Sequence, residues 1–114
     1  MNLKYYSEDE AKELRLKFEE EVLTWLKVSK KTMFGCPSYT VDNKLFAFLV
    51  TNGIVITSLS QSDRDKLFSK YQSKPFVAGK RTIRNWSMVS VNNLREIDEI
   101  LLFVKRSYDL VLEN

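Results

Sequence analysis

From residue 8 to 27, Ala11, Leu14, Phe18, Val22, Trp25 and Leu26 recur along the chain. These are the three- and four-residue steps that lay one stripe along a helix. Ser7, with Glu10 three residues on, has the spacing of a capping box, in which hydroxyl and carboxylate each take a free amide. Glu8, Asp9 and Glu10 at the start, and Lys27 and Lys30 near the end, suit the helix dipole. The period then shortens to two. Lys31–Phe34 and Ser38–Val41 predict two short strands around a turn at Gly35-Cys36-Pro37. Lys44–Val50 predicts a third after an Asp42-Asn43 turn, and Ile54–Leu59 a fourth after Asn52-Gly53, a strong hairpin signal. In the third strand Leu45, Ala47 and Leu49 alternate with Phe46, Phe48 and Val50. A strand apolar on both sides is central, and its second face needs a partner, a loop or another subunit to cover it.

A second helix is expected over 61–72, capped by Ser60 with Asp63 and stopped by Pro75. The stretch 73–85 reads as an irregular basic loop with one candidate edge segment, Phe76-Val77. Trp86–Val91 predicts a last strand, and 94–112 a last helix capped by Asn93 with Glu96. Its stripe is Ile97, Ile100, Leu101, Val104, Tyr108 and Val111. The connections between strands are too short for parallel crossovers. The expected fold is therefore α+β, a two-layer sandwich in one domain, residues 1–114. Its antiparallel sheet of about five strands carries the N- and C-terminal helices on one face.

Charge alters this picture locally. The net charge is only +3, but residues 1–26 sum to −3, residues 32–60 to 0 and residues 61–93 to +5. No apolar leader follows Met1-Asn2-Leu3-Lys4, and the longest apolar run, Leu45–Val50, falls far short of the ~20 residues that span a bilayer. A cytoplasmic location away from membranes is expected. One cysteine and no histidine leave no internal disulfide, no imidazole base and no multi-thiolate zinc site. Neither a Walker-type phosphate loop nor a dinucleotide glycine motif occurs.

Two features remain as candidate chemistry. Cys36 is the one thiol, and a nucleophilic thiolate would need a cation or a helix N-terminus to lower its pKa; a small residue in a tight corner is the plainer reading. Lys70, Lys74, Lys80, Arg81 and Arg84 fall within fifteen positions, with Tyr71 and Phe76 among them and Trp86 just beyond. Cations interleaved with aromatics suit phosphate backbone and stacked bases. The alternative is a solvated loop whose aromatics point into the core.

The segment Lys30-Lys31-Thr32-Met33-Phe34-Gly35-Cys36-Pro37, followed by Val41-Asp42-Asn43-Lys44-Leu45-Phe46-Ala47, resembles the N-terminal domain of the TfoX/Sxy family. Leu59-Ser60, Asp63-Arg64, Pro75-Phe76, Gly79-Lys80-Arg81, Trp86 and Lys105-Arg106-Ser107-Tyr108 continue the resemblance in order, over about residues 28–112. Cys36 and Ser38 stand where many members have glycine. The resemblance implies a secretion-chaperone-like α+β fold, no catalytic residues and a regulatory role in competence through transcriptional co-activation. Founding members carry a second, helical domain, which a chain ending at Asn114 is expected to lack. The expectation is thus a non-enzymatic interaction module without cofactor or metal, binding a protein partner or itself. The alternatives are nucleic-acid binding through Lys74, Lys80, Arg81 and Arg84, or an enzyme built on Cys36.

Overall fold

The computed structural model describes residues 5–114, so Met1–Lys4, on which part of the leader reading rests, lie outside the described residues. Along the chain run α1 (Glu8–Val22), β1 (Val28–Met33), β2 (Cys36–Val41), β3 (Lys44–Val50) and β4 (Gly53–Ile56). Then come α2 (Gln61–Lys70), β5 (Ser73–Ala78), β6 (Arg81–Ser90), a 3₁₀ turn at Leu94–Glu96 and α3 (Ile97–Glu113). The strands form one antiparallel sheet in the order β1-β2-β3-β4-β6-β5. The fold is α+β, with six strands where about five were expected. No helix among the described residues is long and apolar enough to cross a membrane.

The sixth strand comes from the stretch expected to be irregular. Gly79, at φ 63°, fills the first position of a two-residue turn that closes Ala78 onto Arg81. Glycine permits that reversal at no steric cost. Pro75 hid the strand from a pattern reading, but β5 is an edge strand, where a missing amide is tolerated.

Local chemistry moves other boundaries. α1 stops at Val22 because the chain tightens into turns: the Thr24 hydroxyl donates to the Glu21 carbonyl at 2.6 Å, and Lys27 adopts φ 64°. Leu26 is consequently exposed and not part of the buried stripe. The Ser7–Glu10 capping box does not form, since the Ser7 side chain makes no cap bond and its amide donates to Thr51 Oγ1 at 2.9 Å. By contrast, Ser60 accepts from the Asp63 amide at 3.1 Å, as expected; Asn93 accepts from the Arg95 amide at 2.9 Å, but it caps the 3₁₀ turn, and Glu96 at the start of α3 makes no side-chain cap bond, so the expected Asn93–Glu96 capping of the last helix does not form.

The first two hairpin turns are made at positive φ. Phe34 (57°) and Gly35 (74°) turn β1 into β2, one position before the expected site, and Asp42 (51°) and Asn43 (65°) turn β2 into β3. At the next hairpin the turn is Thr51-Asn52, because Gly53 already pairs with Val50. A Cβ on Gly53 would lie 2.4 Å from the Val89 carbonyl oxygen. That glycine therefore permits β4 and β6 to approach.

One bulge determines how the layers pack. Tyr39 pairs with Ala47 but Thr40 with Leu45, which leaves Phe46 as an extra residue and breaks the alternation. Phe46 accordingly meets the helix layer, 5.5 Å from the Tyr108 ring of α3 and 6.1 Å from Trp25. Phe18 of α1 lies against Tyr39 at 4.9 Å on the same side. Phe48 serves the opposite face, with its ring 5.2 Å from Phe76 and 5.5 Å from Trp86. The expectation that Phe46 and Phe48 share a face is corrected by the bulge.

In the sheet order β5 lies three places from β3, too far for ring contact across a flat sheet at ~4.8 Å per strand. The hairpin must curl over. The register jumps from Pro75↔Ser87 to Phe76↔Ile83, leaving Arg84, Asn85 and Trp86 unpaired on β6. There the distal half of the hairpin bends across the sheet, and the Gly79 amide reaches the Tyr5 hydroxyl at 3.0 Å. Phe48 is only 1% exposed as a result. The second face of β3 is covered by the chain's own hairpin, so it does not call for an external partner.

Candidate recognition surfaces

The β5–β6 hairpin divides its residues by chemistry. Phe76 is buried and Trp86 half-buried, both turned onto Phe48. The aromatics of the basic segment are thus packing groups, and they offer no open stacking platform. From Ser73 to Ser90 the sequence holds Lys74, Lys80, Arg81 and Arg84 and no acid. Among the described residues none of the four makes an ion pair, whereas Arg15, Lys30, Lys70, Lys105 and Arg106 all do.

The structure does not gather these four into one pocket. Lys74 borders a hollow of about 340 Å³ with Tyr5, Phe76 and Met88. Arg84 borders a different one, about 430 Å³, against Gln61, Asp65 and Phe68 of α2. Lys80 and Arg81 sit at the hairpin tip. The remaining cation of the segment, Lys70, is drawn to Glu99 of α3 at 3.1 Å. This is an electrostatic surface spread along a hairpin that lies across the sheet, with no single pocket holding all four cations.

Cys36 begins β2, fully buried, with its Sγ donating to the Phe34 carbonyl at 3.7 Å. Burial pushes its thiol pKa up to about 11, the reverse of what an activated nucleophile requires. The most connected acid is Glu19 on α1. It accepts from the Tyr39 hydroxyl at 2.7 Å and pairs with Lys30 at 2.6 Å and Arg15 at 2.8 Å. Burial pushes its carboxyl up, but hydrogen bonds from Lys30 and Tyr39, with both nearby cations, outweigh that and hold it below the usual range. Burial, then the bond to Glu19, pushes the Tyr39 hydroxyl well up. These groups are saturated by one another and tie α1 to β1 and β2. No three His, Cys, Asp or Glu side chains among the described residues come together as a metal cage.

Sequence reasoning passed over the outer surface of α3. Its inward stripe is as expected, with Ile97, Ile100, Leu101, Val104, Tyr108 and Val111 buried. Leu102 nevertheless stands 66% exposed, with Leu94 and Leu110 at 37%. A groove of about 320 Å³ beside Leu102 is walled by Glu21 and Trp25 on one side and Asp98, Leu101 and Lys105 on the other. The signal was legible as leucines eight residues apart and off the stripe.

No family model matches this chain, and no curated protein matches its sequence.

Proposed function

We propose that the protein is a non-catalytic recognition module whose β5–β6 hairpin engages an anionic protein surface. The observation carrying this reading is the segregation within the hairpin. Its aromatics are spent on covering Phe48, while its cations project without intramolecular partners among the described residues. Unpaired like charges repel one another and persist most readily where a partner neutralises them. The raised pKa of Cys36 and the mutual saturation of Glu19, Lys30 and Arg15 support a scaffold over a site of bond-making. The resemblance to TfoX N-terminal domains fits the same reading and gives it a finer form: a regulator acting through a protein partner in transcription or competence within the cytoplasm.

A second reading, nucleic-acid binding, draws on the same cations, because an arm of four positive charges without an acid suits a phosphate backbone. The inward rings of Phe76 and Trp86 count against base stacking. Capture from native extract tests the pair, using wild type and a Lys80, Arg81, Arg84→Ala variant. A protein held by wild type, released by salt and lost with the variant is expected. Equal capture by both overturns the reading. A mobility shift with DNA or RNA at low salt, weakening steeply as salt rises, would favour the second reading instead.

A further inference from the structure

We propose that the outer face of α3 is a homodimer interface, pairing antiparallel with α3 of a second copy about a two-fold axis at Leu102. Leu94, Asp98, Leu102, Arg106 and Leu110 follow one another at four-residue steps, and all five are exposed. Rows of this spacing are the ridges by which helices interlock. Within α3 the row from Asp98 to Leu110 spans about 18 Å at 1.5 Å per residue, and Leu94 extends it from the preceding 3₁₀ turn.

The occupant is argued from charge. A two-fold interface requires that if one residue meets a second across the axis, the second meets the first. Reflecting the helix about Leu102 sets Asp98 against Arg106 of the partner subunit, and Glu99 against Lys105 of the partner subunit. It also sets Arg95 against Asp109 of the partner subunit, and Leu94 against Leu110 of the partner subunit. Every charged pair so formed has opposite signs, and the apolar residues fall on apolar residues. The helix dipole accounts for acids early and bases late in a helix. Arg95, in the 3₁₀ turn that precedes α3, and Asp109, which pairs with Lys105 at 2.9 Å, also match each other in the reflection. A heterologous partner would place no such condition on the sequence.

Three of the charged groups on this face hold partners within the protomer and exchange them on docking: Glu99 pairs with Lys70 at 3.1 Å, and Lys105 and Asp109 pair with each other at 2.9 Å. Arg106 meets Asp63 of α2 only at 3.4 Å, with its side chain more than half exposed. The groove beside Leu102, lined by Trp25 and Leu101 together with Glu21, Asp98 and Lys105, flanks the axis on which the two Leu102 side chains meet. The inference is independent of the hairpin reading, which concerns a different surface.

Sedimentation equilibrium across a concentration series tests it. The wild type is expected to pass from 13.4 kDa to twice that mass. Leu102→Asp, which sets two carboxylates on the axis at an exposed position, is expected to weaken the dimer about a hundredfold with its thermal melt unchanged. Asp98→Arg and Arg106→Asp are each expected to weaken it about tenfold. Mixing those two single variants restores a dimer, because both cross-axis contacts again join opposite charges. A wild type monomeric up to ~1 mM, a Leu102→Asp variant that dimerises normally, or a mixture that fails to recover would each overturn the proposal.

Discussion

Replacing Phe48 by alanine removes the ring on which the curled hairpin rests. Phe48 is 1% exposed and its ring lies edge-on to both Phe76, at 5.2 Å, and Trp86, at 5.5 Å. Truncating a buried phenylalanine destabilises by about 3–5 kcal/mol, from lost transfer energy and the cavity left behind. Two edge-to-face contacts add about 0.5–1.5 kcal/mol each beyond area, so the upper half of that range is expected. Urea unfolding monitored by circular dichroism gives the number directly, through the midpoint and slope. Phe76→Ala, measured alone and with Phe48→Ala, completes a cycle. Because the rings touch, the two losses should fall short of additivity by roughly 1 kcal/mol, whereas unlinked sites add to within about 0.5 kcal/mol. A loss below about 1 kcal/mol for Phe48→Ala, or strict additivity in the cycle, would refute the packing of the hairpin across the sheet.

Other consequences follow from single positions. Phe34 holds φ 57° on an exposed turn, a conformation that costs a bulky residue about 1–2 kcal/mol, so Phe34→Asn should raise the melting temperature; a lower one would show that the Phe34–Phe48 ring contact at 6.5 Å outweighs the strain. Gly53→Ala should destabilise by about 1–3 kcal/mol, since the added methyl meets the Val89 backbone oxygen at 2.4 Å; an unchanged melt would show that β4 and β6 do not approach so closely. Cys36, with its thiol pushed up to about 11 by burial, should alkylate at pH 8 about a hundredfold more slowly than a free thiol; a rate equal to the model thiol is the contrary result. The same shift carries a sign for stability. An unfolded thiol ionises from about pH 9 while the buried one stays neutral, so this contribution is full below pH 9 and is lost as pH rises toward 11. Glu19 has the opposite sign: its lowered pKa gives stability present above the unfolded carboxylate range and lost as pH falls through the folded value. Melts of Glu19→Gln should therefore be flatter than wild type on the acid side, and identical slopes would contradict this.

The sequence made the class of fold readable because hydrophobic period is a local signal. The α3 stripe, the Asp42-Asn43 turn and the Ser60 cap depend on neighbours within a few residues, and all stand where their pattern places them. What was illegible depends on distant partners. The Ser7 amide is taken by Thr51, which no spacing rule links to it. The bulge at Phe46 is a mismatch between β2 and β3 and leaves no mark in β3 alone. The stretch 73–85 looked irregular because Pro75 and its charges are unfavourable in a central strand, and its edge position is set only by the completed sheet. Lys74, Lys80, Arg81 and Arg84 were found by their charge. Their dispersal over two hollows and a tip follows from the three unpaired residues on β6.

The inward aromatics and outward cations of one curled hairpin underlie the functional reading, and proton NMR measures that arrangement directly. Nuclear Overhauser contacts are predicted from the Phe48 ring to the rings of both Phe76 and Trp86, and from Tyr5 to Phe76, 5.7 Å away. Cross-peaks confined to β5 and β6 themselves, with none reaching Phe48 or Tyr5, would contradict the account.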